Sequence, residues 1–109
     1  MPVQSNAQPV SPARYDTCIS GELGGETSAT ACPNITCDLV MFKAAAANGG
    51  NVYIGGTSGV TKKDATTDAT TGFQLAAGDT TPWLPVTNLN LFWYICDNAG
   101  DDITYIGFK

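Results

Sequence analysis

Short alternating segments, each stopped by Gly, Pro, Asn or Asp, constrain this chain more than any other feature. Ile35-Thr36-Cys37-Asp38-Leu39-Val40-Met41-Phe42-Lys43 is a strand-length run. It puts Cys37, Leu39 and Met41 on one face and Asp38, Val40 and Phe42 on the other. Asn48-Gly49-Gly50 ends the alanine run that follows, and its Asn-Gly pair favours a turn between strands. Asn51-Val52-Tyr53-Ile54-Gly55 is the next strand, with Val60-Thr61 as a short further candidate. Gly72 to Ala76 alternates, and Thr80 to Val86 carries Pro82 and Pro85. Proline cannot donate to a ladder, so that strand belongs at an edge. Leu89 to Cys96 is apolar on both faces, as in a strand buried between layers or at a subunit contact. Asp97-Asn98-Ala99-Gly100-Asp101 then turns the chain into a last strand, Asp102 to Phe108, and the two are expected to pair as a hairpin.

Six to seven short strands predict an all-β fold, a small β-sandwich or barrel-like domain over residues 34–109. Residues 1–33 read differently. They carry Pro2, Pro9, Pro12 and Pro33, with Gly21, Gly24 and Gly25 before the last, and their apolar residues show neither strand nor helix period. This is the composition of an extended N-terminal arm, either loose or ordered on a partner. Arg14, Tyr15 and Ile19 are its candidate anchors, since isolated aromatic and aliphatic side chains seek burial. Lys62 to Thr71 repeats Asp-Ala-Thr-Thr without a large apolar residue and is read as an exposed loop. A β domain of this size buries only about 60% of its unfolded surface, so association is a natural supplement.

Composition narrows the function classes. Charged residues make up 14% of the 109, with a net charge of -5 and only five basic residues. A protein that tracks phosphates needs a basic stripe, so no nucleic-acid partner is expected. Histidine, the commonest general base and metal ligand, is absent. No serine sits in a nucleophile-elbow pattern, and the Gly pairs at 49–50 and 55–56 are not followed by the Lys-Ser/Thr of a phosphate loop. No catalytic residue, metal site or cofactor is therefore assigned, and the chain is read as non-enzymatic. No apolar run approaches the roughly 20 residues of a membrane helix, so no membrane partner is expected. Met1 to Asn6 lacks the basic and apolar regions of a secretory signal, which points to synthesis in a cytoplasm.

Four cysteines remain. Cys18, Cys32, Cys37 and Cys96 lack a Cys-x-x-Cys knuckle, which disfavours zinc. Cys18 with Cys32 is a possible disulfide worth about 3 kcal/mol. Cys37 and Cys96 fall on expected strands and read as small apolar residues. Asp97, Asn98, Asp101 and Asp102 could hold calcium but lack the order of an EF-hand loop; a solvated turn is the simpler reading. Trp83, Trp93, Tyr53 and Tyr94 are a conceivable sugar platform, although aromatic residues at strand spacing more often serve core or interface.

From Leu39 to Phe108 the chain resembles small β-structured virion proteins of tailed bacteriophages, of the capsid decoration (cement) or head-fibre type. The pattern runs through Val40-Met41-Phe42-Lys43, Asn51-Val52-Tyr53-Ile54-Gly55-Gly56 and Gly59-Val60-Thr61. It continues with Gly72-Phe73-Gln74-Leu75-Ala76-Ala77-Gly78-Asp79 and Leu84-Pro85-Val86. It ends in Asn88-Leu89-Asn90, Leu91-Phe92-Trp93-Tyr94-Ile95 and Tyr105-Ile106-Gly107-Phe108. The Lys62–Thr71 insertion, Trp83 and the cysteine-bearing N-terminal region depart from it. The resemblance implies a structural protein on the outer surface of a virion capsid that clamps neighbouring subunits of the major capsid protein. It implies a homotrimer, for which Trp93 and Tyr94 are the expected interface, with arm contacts at Arg14, Tyr15 and Ile19. The alternatives are a tail or fibre adaptor, or a carbohydrate-binding module of a host-facing spike built around Trp83.

Overall fold

The computed structural model describes residues 15–64, 66 and 70–109; Arg14 and the rest of the first fourteen positions lie outside the described residues. Eight strands form two antiparallel four-stranded sheets. They are β1 (Cys18–Leu23), β2 (Thr30–Ala31), β3 (Leu39–Ala44), β4 (Val52–Gly55), β5 (Phe73–Leu75), β6 (Leu84–Pro85), β7 (Trp93–Cys96) and β8 (Ile103–Phe108). The first sheet has the order β1-β8-β3-β6 and the second β2-β7-β4-β5. This is the strand order of a double-sheet jelly roll, and the expected all-β sandwich is what forms.

Alternation places the core. Val40, Phe42 and Ala44 of β3, and Ile103 and Tyr105 of β8, point inward from the first sheet. Val52, Ile54, Leu75, Tyr94 and Cys96 meet them from the second. Phe42 sits at the centre, edge-on to Phe92 with ring centroids 5.2 Å apart and 6.5 Å from Tyr105. Such edge-to-face contacts suit the aromatic quadrupole and add to area burial. The Pro82–Pro85 stretch behaves as its prolines require. It lies at the sheet edge, and the buried Thr81 hydroxyl accepts from Phe42 N at 3.0 Å and donates to Pro82 O at 2.8 Å.

Three expectations change. Residues 18–33 belong to the β domain rather than to an arm. β1 pairs along its whole length with β8, from Cys18 opposite Phe108 to Leu23 opposite Ile103. Its period was hidden because an inward position is Gly21: a Cβ there would meet the Tyr105 hydroxyl at 2.5 Å, so the glycine makes room for that ring. Second, β7 and β8 do not form a hairpin, because they lie in different sheets. Third, the expected strand from Leu89 opens as a 3-10 turn, Leu89–Leu91, in which Asn88 caps Asn90 N. Leu89 is buried in the core while Leu91 faces out.

The crossing from β7 to β8 is held by carboxylates that read as a solvated turn. Asp101 is buried and accepts from Gly49 N at 3.0 Å and Asn98 N at 3.2 Å. Asp97 accepts from Asn51 N at 2.9 Å and from the Tyr53 hydroxyl at 3.2 Å. Asn48 and Asp102 exchange two bonds, Asn48 Nδ2 to Asp102 O at 2.9 Å and Asp102 N to Asn48 Oδ1 at 2.8 Å. The β3–β4 and β7–β8 connections are thus clasped to each other at one end of the sandwich. Gly25, from the β1–β2 connection, packs so closely there that a Cβ would strike the carbonyls of Ala99 and Asp101.

Asp101 is itself buried, and truncating it strips the Gly49 and Asn98 amides of their carboxylate acceptor. Asp101→Ala is expected to cost roughly 1.5–3 kcal/mol in urea unfolding, against less than about 0.5 kcal/mol for exposed Glu22→Ala. Equal losses for the two would remove Asp101 from this role.

Candidate functional site

The two sheets treat their outer faces differently. On the second sheet, Tyr53, Ile95 and Trp93 point away from the core but are covered by Val60, from the connection between β4 and β5. Val60 is the plug, buried against Tyr53 and Ile95. Threonines close the neck of this connection: Thr61 N donates to Thr71 Oγ1 at 3.0 Å, and Thr71 Oγ1 donates to Gly59 O at 2.8 Å. The Val60–Thr61 segment is therefore a lid rather than a strand.

The outer face of the first sheet has no such roof among the described residues. Register fixes its rows. Cys18, Phe108, Leu39 and Pro85 lie across the four strands in one row. Ser20, Ile106 and Met41 form the next, and Glu22, Thr104 and Lys43 close the face with polar side chains. Ile106 is 42% exposed and Trp83 43%. Trp83 leans on Phe108 with centroids 5.4 Å apart, and the Tyr15 ring lies 5.9 Å from the same ring. Tyr15, Leu39, Trp83 and Phe108 line a groove of about 420 Å³. A contiguous apolar area of this kind, rimmed by polar residues, marks an interaction surface. A second apolar opening of about 340 Å³ lies at the open edge between the sheets, among Ile54, Phe73, Pro82, Leu84 and Phe92.

The sequence-derived site residues fall in different places. Arg14 is outside the described residues. Tyr15 joins the groove. Ile19 faces inward from β1 and packs against the core, so it does not project from an arm. Trp93 is half-buried beneath the second sheet's roof. Tyr94 is in the central core, where its side chain offers almost nothing to a neighbouring subunit. From sequence, Trp83 enters as a surface residue only through the sugar-binding alternative, and Leu39, Met41, Ile106 and Phe108 have no surface role. The alternation of β3 and β8 contained the signal, but a half-apolar outer row is indistinguishable in sequence from a second buried face.

The Cys18–Cys32 bridge is not formed. Cys18 lies on the exposed outer row of β1, whereas Cys32 is buried in the core between the sheets. All four cysteines are free thiols. Burial pushes the Cys32 thiol up to about 12, and burial likewise raises Cys37, with Asp38 adding to it. Cys96 is raised mainly by burial, against a lowering contact with the Glu26 backbone. Burial also pushes Tyr94 up to about 12, with Glu26 nearby contributing. These thiols stay protonated at neutral pH, which suits packing rather than nucleophilic attack. No group of three or more His, Cys, Asp or Glu able to hold a metal occurs among the described residues.

No protein-family model and no curated protein matches the chain. Among solved structures, one match is to a protein of Bacillus endospore appendages, described as a novel family of disulfide-linked pili. It is 12% identical, covers 95% of this chain and 98% of that one, and has a TM-score of 0.38. A likeness at that score carries no argument about function; the jelly-roll assignment rests on strand order alone.

Thiol titration tests the cysteine placement. In the folded protein Cys18 should react quickly with a disulfide reagent, and Cys32, Cys37 and Cys96 only on unfolding. The raised Cys32 pKa also sets a pH dependence. The unfolded chain releases this proton near pH 9.0 and the folded chain near 12, so the stabilising contribution is complete below pH 9 and is lost as pH rises toward 12. Urea midpoints should fall over that range, less steeply for Cys32→Val. An unchanged slope in the variant would contradict the assignment.

Proposed function

We propose that this protein is a non-enzymatic structural component of a phage virion, a decoration protein that binds the outer face of the head and cements neighbouring major capsid protein subunits. The observation that carries this reading is the apolar outer face of the β1-β8-β3-β6 sheet, which has no roof among the described residues. Its central residues Met41 and Ile106 lie beside the Trp83–Phe108 pair, in a fold whose other outer face is already covered. The jelly roll is an architecture common in viral capsid and lectin domains, which supports the reading by analogy of fold only. Many copies repeated on a lattice make weak contacts add through multivalency. Binding to the assembled shell but not to dispersed subunits stabilises the shell by mass action. Assembly as a homotrimer belongs to the same proposal.

Heads carrying the protein should survive heating that disrupts stripped heads, and re-addition should restore the resistance. Ile106→Asp places a charge at the centre of the apolar face without touching the core. It should weaken head binding at least about tenfold, or roughly 1.4 kcal/mol, while the circular dichroism spectrum stays the same. Stripped heads that survive heating equally well would end the cement reading. Gold label found on tails rather than heads would favour an adaptor.

A further inference from the structure

The outer face of the first sheet carries a charge arrangement that head docking leaves unused. β8 runs up the face with β1 on one side and β3 on the other. Glu22 of β1 and Lys43 of β3 both stand opposite Thr104 of β8, so two opposite charges flank one position symmetrically. Both residues are exposed, and neither side chain makes a hydrogen bond or ion pair among the described residues. Two strand spacings, about 10 Å, keep them from meeting within the chain. Beyond this polar row come the apolar ones, first Ile106 with Met41, then Phe108 with Leu39.

We infer that two copies of the protein pair face to face through this sheet, about a two-fold axis that runs along β8. A second copy is favoured because the face is complementary to itself. The axis exchanges the β1 and β3 sides, so Glu22 of each copy lies against Lys43 of the other and one complementary contact is made twice. It also stacks Ile106 on Ile106 and Phe108 on Phe108, while Cys18 meets Leu39. The strands of the two copies then run in nearly the same direction, as in aligned sheet packing about 10 Å apart. An axis turned across the strands gives the opposite result. Glu22 then falls on Cys18 and Lys43 on Leu39, which buries each charge against an uncharged neighbour. Charge placement therefore selects one geometry. The face measures roughly 20 Å along the strands and 15–20 Å across. That is the low end of interface sizes, so the association is weak and parts on dilution. The two Cys18 residues lie on opposite sides of the axis, about 14 Å apart, beyond the reach of a disulfide. The pairing belongs to the protein free of heads. Docking on the same face requires the copies to separate, and the inference does not rest on that docking.

Sedimentation equilibrium of the full chain over a concentration series tests this. The mass should rise from that of one chain toward that of two, equally with and without reductant. Glu22→Lys alone and Lys43→Glu alone each turn both attractions into repulsions. Each should weaken pairing at least about tenfold, with circular dichroism unchanged. The double change Glu22→Lys with Lys43→Glu restores the complementarity and should restore the pairing, and an equal mixture of the two single variants should pair as well. A mass of one chain at every concentration would overturn the inference, as would a mass of three or a dependence on reductant. Single variants that associate like the original would overturn it too, and so would a double variant that stays apart. No head takes part, so failure here and failure of the heating test are distinguishable.

Discussion

Only one connection, β4 to β5, keeps the chain within a sheet; every other one carries it across the sandwich. That constraint governs the rest of the structure. Crossing loops cannot share the ladder bonds of a hairpin, so their backbone amides need other acceptors. Asp97, Asp101 and Asn48 supply them at one end, binding two crossings together, and Gly25 lets a third approach. With the crossings fixed, the alternating strands deliver Val40, Phe42, Ile103 and Tyr105 from one side, and Val52, Ile54, Leu75 and Tyr94 from the other.

The same constraint explains what could be read in advance. Where inward and outward residues differ in character, as in Val40 and Phe42 against Lys43, strands are legible. β1 was not, because Gly21 stands at an inward position to admit Tyr105. The β7–β8 turn has hairpin chemistry in sequence, yet the carboxylates that suggested a wet turn reach across to Gly49 and Asn51. Local residues specify that the chain turns; a partner fifty positions away specifies which sheet it enters. The apolar outer face of the first sheet is least legible of all, since Leu39 and Met41 look like core in any strand apolar on both sides.

Burial also separates the cysteines into two kinds. Cys32, Cys37 and Cys96 act as small apolar residues whose thiols are held protonated by their surroundings. Cys18 stands on the outer row of β1, next to Phe108 across the ladder. The asymmetry between outer faces follows from chain usage. The connection between β4 and β5 covers the second sheet through Val60, and among the described residues no connection covers the first in this way.

Hydroxyl-radical footprinting of the protein, alone and mixed with phage heads, tests the proposed docking face most directly. The account predicts that oxidation at Met41, Trp83 and Phe108 falls on binding, while Phe73 and Leu91, exposed elsewhere on the sandwich, keep their rates. Protection at Phe73 or Leu91 with Met41 and Trp83 unchanged would contradict it.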